Sequence, residues 1–376
     1  MLSFGRYFRR TSPEDTPLPE PVEYLNAHAA SSAYYNEHYL DPGYRQLVKF
    51  FGCGLMDRTQ TLQPGFPYQV LTPLPTSWEP ATTDLTTLCD QRGQALLTEA
   101  VQTGQKIRLL WSGGIDSTAA LSACLKAAEQ QGALDLLEVW LTPQSVRENK
   151  RYYKQIIKPR LHYHKVWNIT RALKPDALIV TGELGDQLFG SLLAFDYIET
   201  GELFQPWQAP LTRALDNDPE RICSAETMLQ FLQPQLDCSP VPLHSLFDML
   251  WWLNFSLKWQ NVQLRLAARM PHQYTGLRQV LRHFFDTPAF QNWSVHHHDE
   301  KIERDWPSYK MPLKHYIYDF FPDRDYLLKK CKEASLRHLT DPSKARRVQS
   351  GGVETHVTIT LEGKGSSLCD SDGDGE

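Results

Sequence analysis

A short apolar run, Ile107-Arg108-Leu109-Leu110-Trp111, stops at Ser112-Gly113-Gly114-Ile115-Asp116-Ser117, and an alanine-rich stretch begins at once. No other feature constrains the fold as much. The run is fit for a buried strand, and STAALSACLKAAEQQ predicts a helix ending at Gly132. Two adjacent glycines between them let the backbone turn tightly and approach an anion with no Cβ in the way. The exposed N–H groups of such a turn, together with the helix N-terminus, suit a phosphate group. Ser112 and Ser117 add hydroxyl donors. Asp116 fits an anion site when a divalent cation stands between its oxygens and the phosphates, as Mg²⁺ commonly does. The GxxxxGK[ST] phosphate loop is a different pattern and does not occur here. The bland alternative is an ordinary strand-to-helix turn capped by Ser or Asp.

Further strands are expected at LDLLEVWLT and at DALIVTG, which begins at Asp176, and a helix over LTTLCDQRGQALLTEAVQTG ending at Gly104. Strands alternating with helices predict an α/β fold, a parallel sheet covered on both faces. From Pro210 to Leu339 the pattern is mostly helical, rich in Trp and Leu. Three parts are expected: residues 1–82, residues 83–341 and a tail over 342–376. The first is partly extended, with proline-rich TSPEDTPLPEP and TPLPTSWEPATTD and helical character in YRQLVKFF. The tail carries an alternating run, VETHVTITLE, that reads as a hairpin arm, and closes in acidic, disordered SSLCDSDGDGE.

DALIVTG runs into Gly182-Glu183-Leu184-Gly185-Asp186-Gln187-Leu188-Phe189-Gly190. Functional loops lie at the carboxyl ends of parallel strands, so this loop is expected to face Ser112–Ser117 across one crevice. Two acids three apart suit one metal ligand and one acid/base or orienting group. A loop whose Glu and Asp merely cap the next helix is the plain alternative.

The first motif resembles the pyrophosphate-binding loop of the PP-loop ATP pyrophosphatases, which cleave ATP between the α and β phosphates. Both motifs together resemble the synthetase domain of class B asparagine synthetases and relatives such as β-lactam synthetases and lasso-peptide cyclases, with a GEGxDExFxGY-like segment. Gly182, Glu183, Asp186, Phe189 and Gly190 match it, whereas Leu184, Gln187 and Ser191 stand where the family has Gly, Glu and Gly. The resemblance implies Mg²⁺ on Asp116 and Asp186, and Glu183 orienting the acceptor or the amine. It implies ATP at Leu110, Trp111, Ser112, Gly113, Gly114, Asp116, Ser117 and Gly182, with adenine near Leu110 and Trp111. Tyr309-Lys310-Met311-Pro312-Leu313-Lys314 is similar to the family's K-x-x-L-R segment, which makes Lys310 a phosphate contact and a stabiliser of developing charge. Lys330-Cys331-Lys332-Glu333 is similar to an RxKxG element, giving Lys332 a reach to pyrophosphate.

The likeness spans roughly residues 90–336. It implies an AMP-forming ligase that adenylates a small-molecule or peptide carboxylate and transfers it to an amine, or to ammonia from a separate source. Leu2 follows Met1, so the nucleophilic Cys of the family's glutaminase domain is missing, and the N-terminal part is too short for that domain. The ExRxPFLD segment survives only as Phe284-Phe285-Asp286, with Gln279 and Leu281 at the charged places, which weighs against aspartate as substrate. Two rivals remain: a PP-loop enzyme acting on a nucleic-acid base, and a degenerate synthetase kept as a binding subunit.

Composition narrows these. The 376 residues carry 39 Lys plus Arg against 44 Asp plus Glu, a net charge of −5, which weighs against nucleic acid held by bulk electrostatics. Apolar runs fall short of the roughly 18 residues of a membrane span, and MLSFGRYFRR lacks a signal-peptide core. Seven scattered cysteines without CxxC fit a reducing compartment, so the cytoplasm is expected. His296-His297-His298-Asp299 reads as a surface loop rather than a metal site, since adjacent histidines cannot all turn to one ion. The tryptophans read as helical core, and Lys344, Arg346 and Arg347 as a solvated basic run.

Overall fold

The computed structural model describes residues 22–25, 40–331 and 354–355, with the backbone alone at 170, 171, 354 and 355. Its centre is a sheet in which β1 (Ile107–Trp111), β2 (Leu137–Leu141), β3 (His162–Lys165), β4 (Leu178–Thr181) and β5 (Leu281–His283) run parallel in the order β5-β4-β1-β2-β3. β6 (Glu354–Thr355) adds an antiparallel pair to β3. That pair is the described part of the expected hairpin arm; the remainder of VETHVTITLE lies outside the described residues.

β1 and β2 are buried at every position because both sheet faces are covered. Ile107, Leu109 and Trp111 point into the main core, Leu110 into a second cluster with Trp140, Ile179, Leu266 and Met270. DALIVTG is the fourth strand, not the third, since β3 precedes it. His-Tyr-His-Lys lacks an apolar run, and only Tyr163 and His164 of it are buried.

Nine helices matter for the site. α1 (Pro42–Phe51) starts at Asp41, whose carboxylate accepts from Gly43 N at 2.7 Å. α2 (Leu85–Thr103) starts at Asp84, which accepts from Thr87 N, and ends at left-handed Gly104. α3 (Ile115–Gln130) follows the glycine turn and packs against α2. α4 (Gly185–Phe189) belongs to the loop after β4. α5 (Ala225–Leu236) packs on α1. α6 (Leu246–Leu257), opened by a Ser245/Asp248 capping box, is buried at every position but Asp248 and carries Trp251 and Trp252. α7 (Trp259–Ala268), α8 (Pro288–His296) and α9 (Met311–Phe320) complete the helical half.

Residues 40–78 lie on that helical half. Tyr44, Leu47, Leu55, Leu62 and Phe66 share one core with Trp251 and Phe255. Arg58 pins the segment: it donates to Thr72 O at 2.7 Å, Phe255 O at 3.2 Å and Gln291 Oε1 at 2.5 Å, over the rings of Phe255 and Trp259. Burial pulls its pKa down to about 9, against the pull of Asp286. Among the described residues no helix is long and apolar enough to cross a membrane.

Candidate active site

β1 and β4 are neighbours in parallel register, Leu110 opposite Thr181, so the loops that leave their carboxyl ends emerge side by side. The loops touch. Gly113 has φ +84, and a Cβ there would strike Ser145 O. A Cβ on Gly182 would lie 2.5 Å from Ser117 N, and one on Gly185 would collide with the Asp116 carboxylate. Glycine is therefore required for the second loop to lie against the first.

The first loop is wired to itself. Ser112 N donates to Ser117 Oγ at 3.2 Å, Ser117 Oγ donates to Gly114 O at 3.2 Å, and Ser112 Oγ accepts from Gly114 N at 3.3 Å. The two hydroxyls meet at 3.0 Å. α3 then begins with Gly114 at its N-cap, a residue with no side chain to satisfy the helix's first N–H groups. Trp111 is wholly buried: its indole donates to Thr118 Oγ1 at 3.1 Å and stacks on Tyr152. Leu110, on the opposite face, keeps a little exposure beside Trp140.

Asp116 and Asp186 come together under Lys310. The ammonium donates to both oxygens of Asp116 at 2.6 Å and to Asp186 Oδ1 at 2.7 Å. Lys310 is completely buried, the Asp116 side chain is 9% exposed and that of Asp186 31%. Lys310 has φ +61, unusual for a residue with a Cβ, and its N–H is held by Lys301 O at 2.9 Å. Pro312 then opens α9. The Tyr309 hydroxyl is buried next to this group without a hydrogen-bond partner; burial, then Asp186 and Asp116, raise its pKa well above the ordinary value.

Glu183 takes a different partner. Arg265, from α7, donates its Nε to Oε1 at 3.3 Å and an NH2 to Oε2. Burial opposes the charge on Arg265, but Glu183 and then Asp186 outweigh it and raise its pKa. The Glu183 backbone is set by a relay: its N–H meets Thr181 Oγ1 at 3.2 Å, Thr181 Oγ1 meets His283 Nδ1 at 2.7 Å, and His283 Nε2 meets Gln263 O at 2.8 Å. A carbonyl only accepts, so Nε2 donates to Gln263 O. Leu184 follows at φ +72, left-handed and 1% exposed. Gln187 is buried, and its amide donates to Asn254 Oδ1 at 3.1 Å. Asn254 in turn donates to Asp186 O at 3.0 Å, so Gln187 serves to hold the loop on α6.

Lys332 lies outside the described residues. Its neighbour Lys330 reaches the first loop: Nζ is 3.1 Å from Glu148 Oε1, and Glu148 Cβ borders Gly113. The other oxygen of Glu148 is buried without a hydrogen bond. Lys314 is a structural clasp, completely buried and donating to Pro307 O. Phe284 and Phe285 are core, and Asp286 accepts from Gln263 Nε2 at 2.7 Å. Of the histidines, His296 is exposed, while His298 turns inward to Asp248 Oδ1 at 2.8 Å.

Sequence reasoning missed Arg265, His283 and Lys330. Arg265 is one of two arginines in LRLAAR and His283 ends a three-residue strand, so neither stood out along the chain. Lys330 stood two places from the residue singled out.

The donor set fits magnesium of the kind bound largely through a nucleotide. Among the described residues no group of three or more His, Cys, Asp or Glu is placed to hold a metal alone. Two carboxylates on facing loops are what Mg²⁺ uses when phosphates and waters complete its octahedron. The fold and this crevice define an α/β protein with a parallel sheet and a polar site at its carboxyl edge. A scan against protein-family models and a search of curated proteins return no match.

Proposed function

We propose that the protein is an ATP-dependent, AMP-forming ligase that adenylates a substrate carboxylate and passes the acyl group to an amine or ammonia. The observation that carries this reading is the convergence of the Ser112–Ser117 turn, Asp116, Asp186 and Lys310 at one point of the sheet's carboxyl edge. The turn's N–H groups and the start of α3 receive the phosphates. Magnesium arriving with ATP would be held by Asp116 and Asp186 and would offset the charge of the departing pyrophosphate. A carboxylate oxygen attacks the α-phosphorus while its bond to the bridging oxygen breaks. An amine then attacks the acyl carbon, and AMP leaves with that oxygen. Lys310 supplies a fixed positive charge for the five-coordinate phosphorus. Arg265 and the Thr181–His283 relay fix Glu183, which orients the acceptor.

The test is ATP–pyrophosphate exchange by the purified chain with Mg²⁺ and a panel of amino acids, peptides and other carboxylates. Exchange dependent on one class supports adenylation and names the acid. Nucleotide binding with no exchange and no amide formation, amines included, would move the protein to the binding-subunit reading. Within the ligase reading, Glu183→Gln is expected to keep exchange within about tenfold of the parent and to slow amide formation by about 10²-fold. Equal loss of both would remove Glu183 from the acceptor step.

A further inference from the structure

We propose that Lys310 is the resident cation of the Asp116–Asp186 pair, and that a divalent ion enters that pair only in company with a nucleotide, whose phosphates take over the ammonium. This rests on the reading of the crevice as an ATP site. It concerns what fills the site beforehand and the order in which ligands enter.

Three observations point the same way. The Lys310 ammonium engages both oxygens of Asp116 and one of Asp186 at 2.6–2.7 Å, with none of the side chain exposed. Its backbone is held in a left-handed conformation between the Lys301 carbonyl and α9, so the ammonium is aimed by the fold. The seat has no slack, because Gly182 and Gly185 press the second loop onto Ser117 and Asp116.

Mg²⁺ needs oxygens at about 2.0–2.1 Å in near-ideal octahedral geometry. An ammonium bonded to both Asp116 oxygens stands where such an ion would stand, and two cations cannot share those oxygens at bonding distance without strong repulsion. A bare ion must therefore expel a buried ammonium whose ion pairs, among the described residues, are with these two carboxylates. A nucleotide removes the obstacle: its phosphates bind Lys310, and the freed carboxylates complete the metal's shell. Metal and nucleotide then strengthen each other, and the coupling is reciprocal.

The experiment titrates the full chain with Mn²⁺, following free ion by electron paramagnetic resonance, with and without α,β-methylene-ATP, which is not cleaved at the α–β position. In the parent protein Mn²⁺ alone is expected to bind weakly and to tighten at least about tenfold with the analogue. Lys310→Met is expected to bind Mn²⁺ alone at least about tenfold tighter, and the analogue alone at least about tenfold more weakly. Opposite shifts are not what a general loss of structure produces. Asp116→Asn in the Lys310→Met background should abolish the gained Mn²⁺ site, locating it at this pair. Lys310→Gln serves if the methionine variant does not fold, as judged by its near-UV circular dichroism.

A folded Lys310 variant that binds Mn²⁺ no tighter than the parent overturns the proposal. So does a parent protein that binds Mn²⁺ as tightly alone as with the analogue. A parent that binds no analogue overturns the nucleotide reading instead, while the Mn²⁺-only comparison still decides whether Lys310 holds the metal seat.

Discussion

Lys301 and Lys310 are both completely buried and are joined by a backbone hydrogen bond, yet their surroundings are opposite. Lys310 is wedged between two carboxylates. Lys301 meets His298 Nδ1 at 2.8 Å and the face of Trp251 at 3.7 Å, and the nearest acid on that relay, Asp248, is reached through His298 Nε2. Burial drives the Lys301 pKa well below the ordinary value, with Asp248 and Asp299 pulling the other way. Burial, then Lys301, likewise lower that of His298 against the pull of Asp248. Depth is the same at both lysines and the anion is what differs. One place is an ionic seat that can trade cations; the other is a hydrogen-bonded prop whose carbonyl supports Lys310.

The largest change expected comes from making the first place resemble the second. Asp116→Ala leaves Lys310 buried with a single carboxylate. Exchange should fall by at least about 10³-fold, and stability by about 3 kcal/mol in urea unfolding. An undiminished rate of pyrophosphate release would remove Asp116 from the metal assignment.

A smaller effect is expected at the crevice's other non-glycine left-handed residue. Leu184→Gly relieves about 1–2 kcal/mol of backbone strain but forfeits a buried leucine worth about 2–4 kcal/mol, a net loss of about 1–2 kcal/mol. A gain in the melting midpoint would mean that strain dominates there.

The smallest is at Lys301. A lysine whose folded pKa lies below its unfolded value leaves the unfolded chain binding more protons. Stability is therefore lost as pH falls from about 10.5 through the folded pKa. Lys301→Met should be near-neutral or stabilising at pH 7, and its advantage should shrink as pH rises toward 10. Urea midpoints at pH 7 and pH 9.5 measure this; a variant equally destabilised at both would show that the relay to His298 and Asp248 outweighs the burial of charge.

The sequence carried the local half of this picture. A strand, a double-glycine turn and an alanine-rich helix are contiguous, so Ile107–Gln130 could be read from neighbours alone. The facing of the two loops followed from parallel-strand geometry, and the contacts of Gly182 and Gly185 bear it out. What lay hidden depends on contacts between distant residues. Lys310 could be singled out by its place in a motif, but its closure of Asp116 onto Asp186 joins parts of the chain 194 and 124 residues apart. β3 and β5 are too short and too polar to show a strand period, and their register comes from the sheet they join. Gln187 stood out as a departure in a polar loop. Its inward turn to Asn254 depends on α6, which no local pattern could supply.

The hold of Arg58 bears on how the chain can be cut. A fragment beginning at residue 83 would keep every strand of the sheet and both loops of the crevice. It would also strip α6 of its cover, leaving the Phe255 carbonyl and the Gln291 amide without the guanidinium they share and baring the ring faces of Phe255 and Trp259. Such a fragment should be recovered from expression as aggregate. Co-expression with residues 1–82 as a separate chain should restore it to the supernatant.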